Sequence, residues 1–286
     1  MKLSNPSELK SVIVKHGFSF SKSLGQNFLI DKGILDKIVL GAGIDKSFGV
    51  LEIGPGAGTL TRELAMAAGK VVAVEIDKNL EPLLKETLSE FDNVEVVFSD
   101  VMKIDLKELI ARHFGSMPVA VVANLPYYIT TPIIMNFLEN EIPVSSLTVM
   151  VQKEVADRMA ASPGGKDYGA LSAAVQFYTQ PKIICRAEPH CFMPQPKVES
   201  VVIKLSVLKE PVVKVKDKEF MFKIIKSAFG QRRKTLLNAL SKSPYISLDK
   251  EAVAAAALEA GLDENIRGER LTLSDFARLS DILQQK

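Results

Sequence analysis

Val50-Leu51-Glu52-Ile53, Gly54-Pro55-Gly56-Ala57-Gly58 and the helical pattern from Thr59 to Ala68 form one continuous stretch: strand, glycine-rich turn, helix. Glycines let a backbone turn sharply and approach a ligand closely, so this unit describes a nucleoside-cofactor site. Working outward, Val71 to Glu75 reads as a second strand ending in a carboxylate able to accept from both hydroxyls of a ribose. A third strand, 94–98, ends at Ser99-Asp100, whose carboxylate suits an adenine amino group. Strands at 119–123 and 147–151 follow, alternating with helical patterns at 59–68, 79–90, 105–113 and 132–139. That alternation predicts an α/β fold, a Rossmann-like parallel sheet with helices on both faces.

The glycine spacing narrows the ligand. A dinucleotide fingerprint, Gly-x-Gly-x-x-Gly, requires glycine at position 59, where this chain has Thr59. The observed Gly-x-Gly-x-Gly favours a ligand without phosphates, and S-adenosylmethionine carries adenine, ribose and a sulfonium but no phosphate. Gly54, Gly56, Glu75, Asp100 and Asn124 are the expected contacts, converging on the rim where open α/β sheets bind ligands.

Asn124-Leu125-Pro126-Tyr127 ends the fourth strand. An aromatic amine has its lone pair delocalised into the ring and is a poor nucleophile until acceptors grip its N–H groups. The Asn124 side-chain carbonyl and the Leu125 backbone carbonyl can supply them. Pro126 stiffens the turn, and Tyr127 offers a face for stacking a base. Taken alone, the same four residues also fit a strand end, a proline turn and a surface tyrosine.

Composition sets the limits. The chain has 286 residues, 47% of them hydrophobic, enough for one large or two ordinary domains. No apolar run approaches the roughly 18 residues of a membrane span. Met1 to Pro6 lacks the apolar stretch of a signal peptide, so a cytoplasmic protein is expected. Cys185 and Cys191 are too few for a disulfide framework and wrongly spaced for zinc, and His16, His113 and His190 show no ligand or triad spacing; no metal is expected.

The net charge of +2 is unevenly distributed: residues 197–242 hold twelve Lys or Arg against four Asp or Glu, leaving −6 elsewhere. Lysines at 214, 216, 218, 223 and 226 with Arg232, Arg233 and Lys234 suit a phosphate-neutralising surface, although a solvated helix face gives the same pattern. Gly169 to Tyr178 reads as a helix, and 182–187 with 198–205 as an antiparallel pair at the sheet edge. Helices are expected at 218–229, 232–241, 248–260 and 272–285, the last capped by Thr272 and Asp275. The predicted organisation is a Rossmann-like domain with an N-terminal arm over 1–208 and a small basic helical domain over 209–286.

Further stretches complete the pattern: Ser23-Leu24-Gly25-Gln26-Asn27-Phe28-Leu29, Gln152-Lys153-Glu154-Val155, Tyr168-Gly169-Ala170-Leu171-Ser172, Phe192 to Ser200 and Phe229-Gly230-Gln231-Arg232-Arg233-Lys234. With the two central motifs, they resemble, over nearly the whole chain, the RsmA/KsgA group of ribosomal RNA adenine N6,N6-dimethyltransferases. The resemblance implies that Asn27 and Leu29 touch S-adenosylmethionine beside Gly54, that Glu75 holds the ribose and Asp100 the adenine, and that Asn124 bridges cofactor and target base. Tyr127 looks like the stacking residue and Phe192 like a second aromatic facing it; a plain core anchor is the other reading of Phe192. Lys223, Arg232, Arg233 and Lys234 are the expected RNA contacts. Where many relatives carry Asn-Ile-Ser-Thr, this chain has Tyr128-Ile129-Thr130-Thr131, so no amide is available at 128. The implied substrate is 16S rRNA in the small subunit, methylated at two adjacent adenosines near its 3′ end by a monomer. A large-subunit methylase of the erythromycin-resistance kind and a ribosome-assembly factor are the alternatives. Lys22 suggests an arm that orders on binding; a fixed N-terminal turn fits equally.

Overall fold

Apolar runs between turn residues become strands, and short polar side chains at their flanks start the helices. The computed structural model describes residues 1–21 and 24–285; Lys22 and Ser23, on which the expectation of an ordering arm bears, lie outside the described residues. The chain begins with α1 (Pro6–Lys15), β1 (Phe28–Leu29) and α2 (Lys32–Ala42). It continues through β2 (Gly49–Ile53), α3 (Thr59–Ala67), β3 (Lys70–Glu75), α4 (Glu81–Thr87), β4 (Val94–Phe98), α5 (Leu106–Phe114), β5 (Val119–Asn124), α6 (Thr130–Glu139) and β6 (Ser146–Gln152). Then come α7 (Lys153–Ala160), α8 (Ala170–Tyr178), β7 (Thr179–Ala187), β8 (Phe192–Met193), β9 (Ser200–Val207), α9 (Lys218–Gly230), α10 (Leu236–Ser241), α11 (Lys250–Glu259) and α12 (Leu273–Leu283).

The main sheet has seven strands in the order β4-β3-β2-β5-β6-β9-β7. β2 pairs in parallel with both β3 and β5, β3 with β4 and β5 with β6, while β9 runs antiparallel to β6. Every residue of β2 is buried, as are all but the last of β5 and β6, which is why these strands read as continuous apolar runs. Because β2 to β5 are parallel, Ile53, Glu75, Phe98 and Asn124 end on one edge. The chain builds outward from β2 to β4 on one side and from β5 to β6 on the other. That reversal opens the crevice where such sheets bind ligands.

Several elements go beyond the sequence reading. α1 is capped by Asn5, whose Oδ1 accepts from the Ser7 amide at 2.9 Å, and α2 by Asp31, whose Oδ1 accepts from the Ile34 amide at 2.9 Å. β1 and β8 form a separate two-stranded antiparallel sheet pairing Phe28 with Met193 and Leu29 with Phe192. Lys153 begins α7 directly after β6.

The chain divides into two compact units, Met1–Ala156 with Lys182–Val207, and Asp157–Pro181 with the chain from Leu208 onward. The sequence reading places the boundary at 208; the contacts assign 157–181 to the helical unit instead. The reason is aromatic packing: the ring centroids of Phe177 and Phe222 lie 5.2 Å apart and those of Tyr168 and Phe229 5.6 Å apart, both pairs edge-on. Tyr168 also donates to the Leu271 carbonyl at 3.1 Å, and burial pushes its phenol up to about 12. The expected capping box of α12 is present, Thr272 Oγ1 accepting from the Asp275 amide at 3.2 Å and Asp275 Oδ2 from the Thr272 amide at 2.9 Å. Among the described residues no helix is long and apolar enough to cross a membrane.

Candidate active site

The turn after β2 requires glycine at two positions for different reasons. Gly54 has φ +71° and no protein atom within 4 Å of where a Cβ would stand. Gly56 has φ +58°, and a Cβ there would sit 2.7 Å from the Phe28 ring. Gly54 therefore leaves room for a ligand, and Gly56 lets the Phe28 segment close down on the turn.

Around this turn lies a cleft of about 1040 Å³ of empty space, counted to its open mouth. Asn27, Leu29, Gly54, Gly56, Glu75, Asp100, Asn124, Leu125, Pro126 and Tyr127 all line it, so ten of the sequence-predicted site residues meet in one place. Glu75 is 4% exposed, with Oε1 accepting from the Asp77 amide at 2.8 Å and Oε2 from the Gly56 amide at 3.3 Å. Burial raises its pKa despite those backbone donors, with the Asp77 charge adding to the rise. Each oxygen keeps a lone pair for a further donor. Asp100 follows β4, its Oδ1 accepting from the Met102 amide at 3.0 Å and its Oδ2 lying 3.6 Å from Lys103 Nζ.

A strap formed by residues 24–29 crosses the cleft. Asn124 Nδ2 donates to the Asn27 carbonyl at 2.8 Å, which commits the amide nitrogen and leaves the side-chain oxygen to accept from another group. At the other wing Gln26 Nε2 donates to Asp77 Oδ2 at 2.8 Å, while Gln26 Oε1 accepts from the Ser21 amide at 2.8 Å. Tyr127 is half-buried, and its hydroxyl lies 2.6 Å from Ser200 Oγ at the start of β9. Burial raises the phenol's pKa against the opposing effect of that hydrogen bond, so Tyr127 is neutral at physiological pH.

The cleft also contains a residue that sequence reasoning passed over. Glu52, within β2, is 1% exposed and its Oε2 has no hydrogen-bond partner. Burial, with the neighbouring Glu75 charge adding, outweighs the Thr61 hydroxyl and pushes its carboxyl up to about 8. Among the described residues the lining includes Glu52, Glu75 and Asp100 but no Lys, Arg or His. Gln26 and Asp77 were also missed as partners. The Glu75-x-Asp77 spacing was visible, but nothing in the sequence pairs Gln26 with residue 77 or Tyr127 with Ser200.

Two expected site residues are placed differently from the rest. Phe192 does not line the cleft: its ring is 2% exposed and lies in the apolar cluster that includes Leu29, Leu35 and Ile38. Pairing of β8 with β1 fixes it there, which favours the core-anchor reading over a ring in the cleft. Arg232, exposed like its neighbours, also has a structural role, donating to the carbonyls of Lys166 at 2.7 Å and Tyr168 at 3.1 Å and lying 3.8 Å from Glu269. It holds the 166–168 loop to the helical unit. Lys223, Arg233 and Lys234 are exposed. Lys226, from the same basic run, lies over the Tyr245 ring at 4.2 Å. Among the described residues no cluster of three or more His, Cys, Asp or Glu is arranged to hold a metal ion.

Comparison with known proteins agrees with this geometry. Residues 17–285 match the family described as ribosomal RNA adenine dimethylase. The chain is 57% identical to ribosomal RNA small subunit methyltransferase A of Alkaliphilus metalliredigens over 98% of this chain and 97% of the relative. It is 53% identical to the protein of the same name from Clostridioides difficile over 100% of this chain and 98% of the relative. Among solved structures it resembles a dimethyladenosine transferase from Plasmodium falciparum (TM-score 0.75, 27% identity, 88% of this chain and 95% of that one). It also resembles the 23S rRNA methyltransferase ErmE (TM-score 0.69, 27% identity, 91% of this chain and 100% of that one). The strap, the glycine turn and the Asn124 rim thus sit within a match that spans nearly the whole chain, and the chain belongs to the ribosomal RNA adenine dimethylase family.

Proposed function

We propose that this protein transfers methyl groups from S-adenosylmethionine to the N6 of two adjacent adenosines near the 3′ end of 16S rRNA, in the small subunit and in the cytoplasm. The observation that carries the reading is the orientation of Asn124: with its nitrogen bound to the Asn27 carbonyl, its oxygen is the acceptor presented beside Tyr127.

The cleft fits the donor. A lining with the acidic side chains of Glu52, Glu75 and Asp100 and no cationic side chain suits a positively charged nucleoside without phosphates. Glu52, which burial keeps protonated, leaves its Oε2 unpartnered as a buried hydrogen-bonding atom for the donor. Glu75 would hold the ribose and Asp100 the adenine amino group, while the open space at Gly54 would leave room for the methionine part of the donor. The donor, when bound, supplies a methyl group on a good leaving group.

What remains for the protein is alignment and acceptance of N–H. Asn124 Oδ1 and the Leu125 carbonyl would take the two N6 protons as hydrogen bonds, turning the nitrogen lone pair out of the ring plane toward the methyl carbon. The amine becomes positive as the N–C bond forms, and these fixed dipoles favour that state over the flat ground state. The proton then leaves to water. Tyr127, held by Ser200, would stack on the extruded base and offset part of the few kcal/mol that unstacking costs. Lys223, Arg233 and Lys234 would neutralise phosphates.

Nucleoside digestion after reaction with small subunits that lack the modification tests the chemistry. N6,N6-dimethyladenosine is expected; a ring-nitrogen or C2 methyladenosine would contradict the Asn124 assignment.

A further inference from the structure

With Phe192 in the core, the aromatic rings lining the cleft among the described residues are Phe28, Tyr127 and Tyr128. Phe28 is 6% exposed, packs on Gly56 and stacks with Phe18 at a centroid distance of 6.0 Å. Tyr127 is half-buried and tied to Ser200. Tyr128 is different: it is 59% exposed, yet it stands at the cleft's mouth on the turn closed by the Ile129 amide and the Pro126 carbonyl at 3.2 Å. A Cβ placed on Gly25 would lie 3.5 Å from its Cδ1, so one part of the ring rests against the strap and the rest faces solvent.

We propose that Tyr128 is a second substrate-stacking surface, holding the base next to the one seated at Tyr127. The inference rests on the function proposed above and deepens it. A target of two adjacent adenosines needs somewhere for the second base while the first is inside, and an exposed ring at the mouth, one residue along a rigid turn, is placed for it. Stacking is tolerant of base identity and needs only an accessible ring face. Tyr128 thereby supplies affinity for the RNA at a position where many relatives, by the resemblance above, carry asparagine.

The test is steady-state methyl transfer to small subunits lacking the modification, with S-adenosylmethionine affinity measured separately by equilibrium dialysis, for wild type and Tyr128→Ala, Tyr128→Leu and Tyr128→Phe. Tyr128→Ala and Tyr128→Leu should raise KM for the subunit about tenfold, the scale of one lost base stack, with kcat and cofactor affinity within about twofold of wild type. Tyr128→Phe should restore the wild-type KM. An unchanged KM in Tyr128→Ala would overturn the proposal. So would a loss in the leucine variant, which keeps an apolar side chain against Gly25, that is accounted for by weaker cofactor binding: that result would make Tyr128 a prop for the strap. Wild-type protein that transfers no methyl to small subunits would remove the functional reading and this inference together, whereas a working wild type with indifferent variants would remove only Tyr128.

Discussion

The rim of the sheet and the strap that crosses it contribute to the same cleft but are positioned by different physics. Glu75, Asp100 and Asn124 stand at or just beyond the ends of successive parallel strands, so strand pairing alone brings them to one edge. Residues 24–29 are held by contacts across long stretches of sequence: Asn27 to Asn124, Gln26 to Asp77, and β1 to β8. The rim is a product of local pattern and the strap of tertiary bonds. The rim should therefore carry the chemistry and most of the cofactor's affinity, while the strap tunes that affinity.

Asn124 belongs to both, and its loss should have the largest effect. Asn124→Ala is expected to lower single-turnover methyl transfer by at least about a hundredfold, the scale of removing one preorganised transition-state partner, while cofactor binding stays measurable. Glu75→Ala comes next: losing a buried acceptor for ribose hydroxyls should weaken S-adenosylmethionine binding by roughly 10- to 100-fold by equilibrium dialysis. Unchanged affinity would remove Glu75 from the ribose site. Gln26→Ala, a change to the strap alone, should weaken the same affinity by only about fivefold, one ordinary hydrogen bond, and leave kcat near wild type. A kcat collapse in Gln26→Ala would erase the distinction between strap and rim.

Glu52 refines the picture of the rim through pH. Its carboxyl is raised from 4.5 to about 8, so the folded chain holds a proton that the unfolded chain has released. Stability from this group is present at pH below about 4.5 and is lost as pH rises through about 8, at up to ~1.4 kcal/mol per pH unit. Thermal melts of the ligand-free protein should show Glu52→Gln losing less stability than wild type over that window. Parallel curves would mean that Glu52 is not protonated in the folded chain. The smallest effect is expected in the helical unit, where Lys234→Ala should lower the salt slope of RNA binding by about 1 without moving Tm. Arg232→Ala should instead lower Tm, because it frees the 166–168 loop.

How much of this was legible follows the same division. The strands at 50–53, 71–75 and 119–123 were readable because burial on both faces of a parallel sheet writes itself as an apolar run. The glycine turn and the rim carboxylates followed from those strand ends. The choice between the two readings of Phe192, ring in the site or core anchor, was not legible because a two-residue strand pairing across 163 positions, Leu29 with Phe192, leaves no periodic signal. The structural role of Arg232 was hidden for a related reason: in sequence it is one of three consecutive cations, and only the fold shows that its guanidinium is bound to carbonyls. The expected helix over 232–241 starts only at Leu236, after Thr235, whose Oγ1 accepts from the Asn238 amide at 3.4 Å. Caps of this kind are local signals, although the sequence reading used none of Thr235, Asn5 and Asp31. Long-range partners are not, and the strap consists mostly of them.

The most direct test of the central claim is where the methyl group lands. Labelled S-adenosylmethionine, small subunits lacking the modification and large-subunit RNA would be offered in parallel, and the labelled nucleotides mapped. The account expects label on two adjacent adenosines near the 3′ end of the small-subunit RNA. Label confined to large-subunit RNA, or tight subunit binding with no label on either, would contradict it.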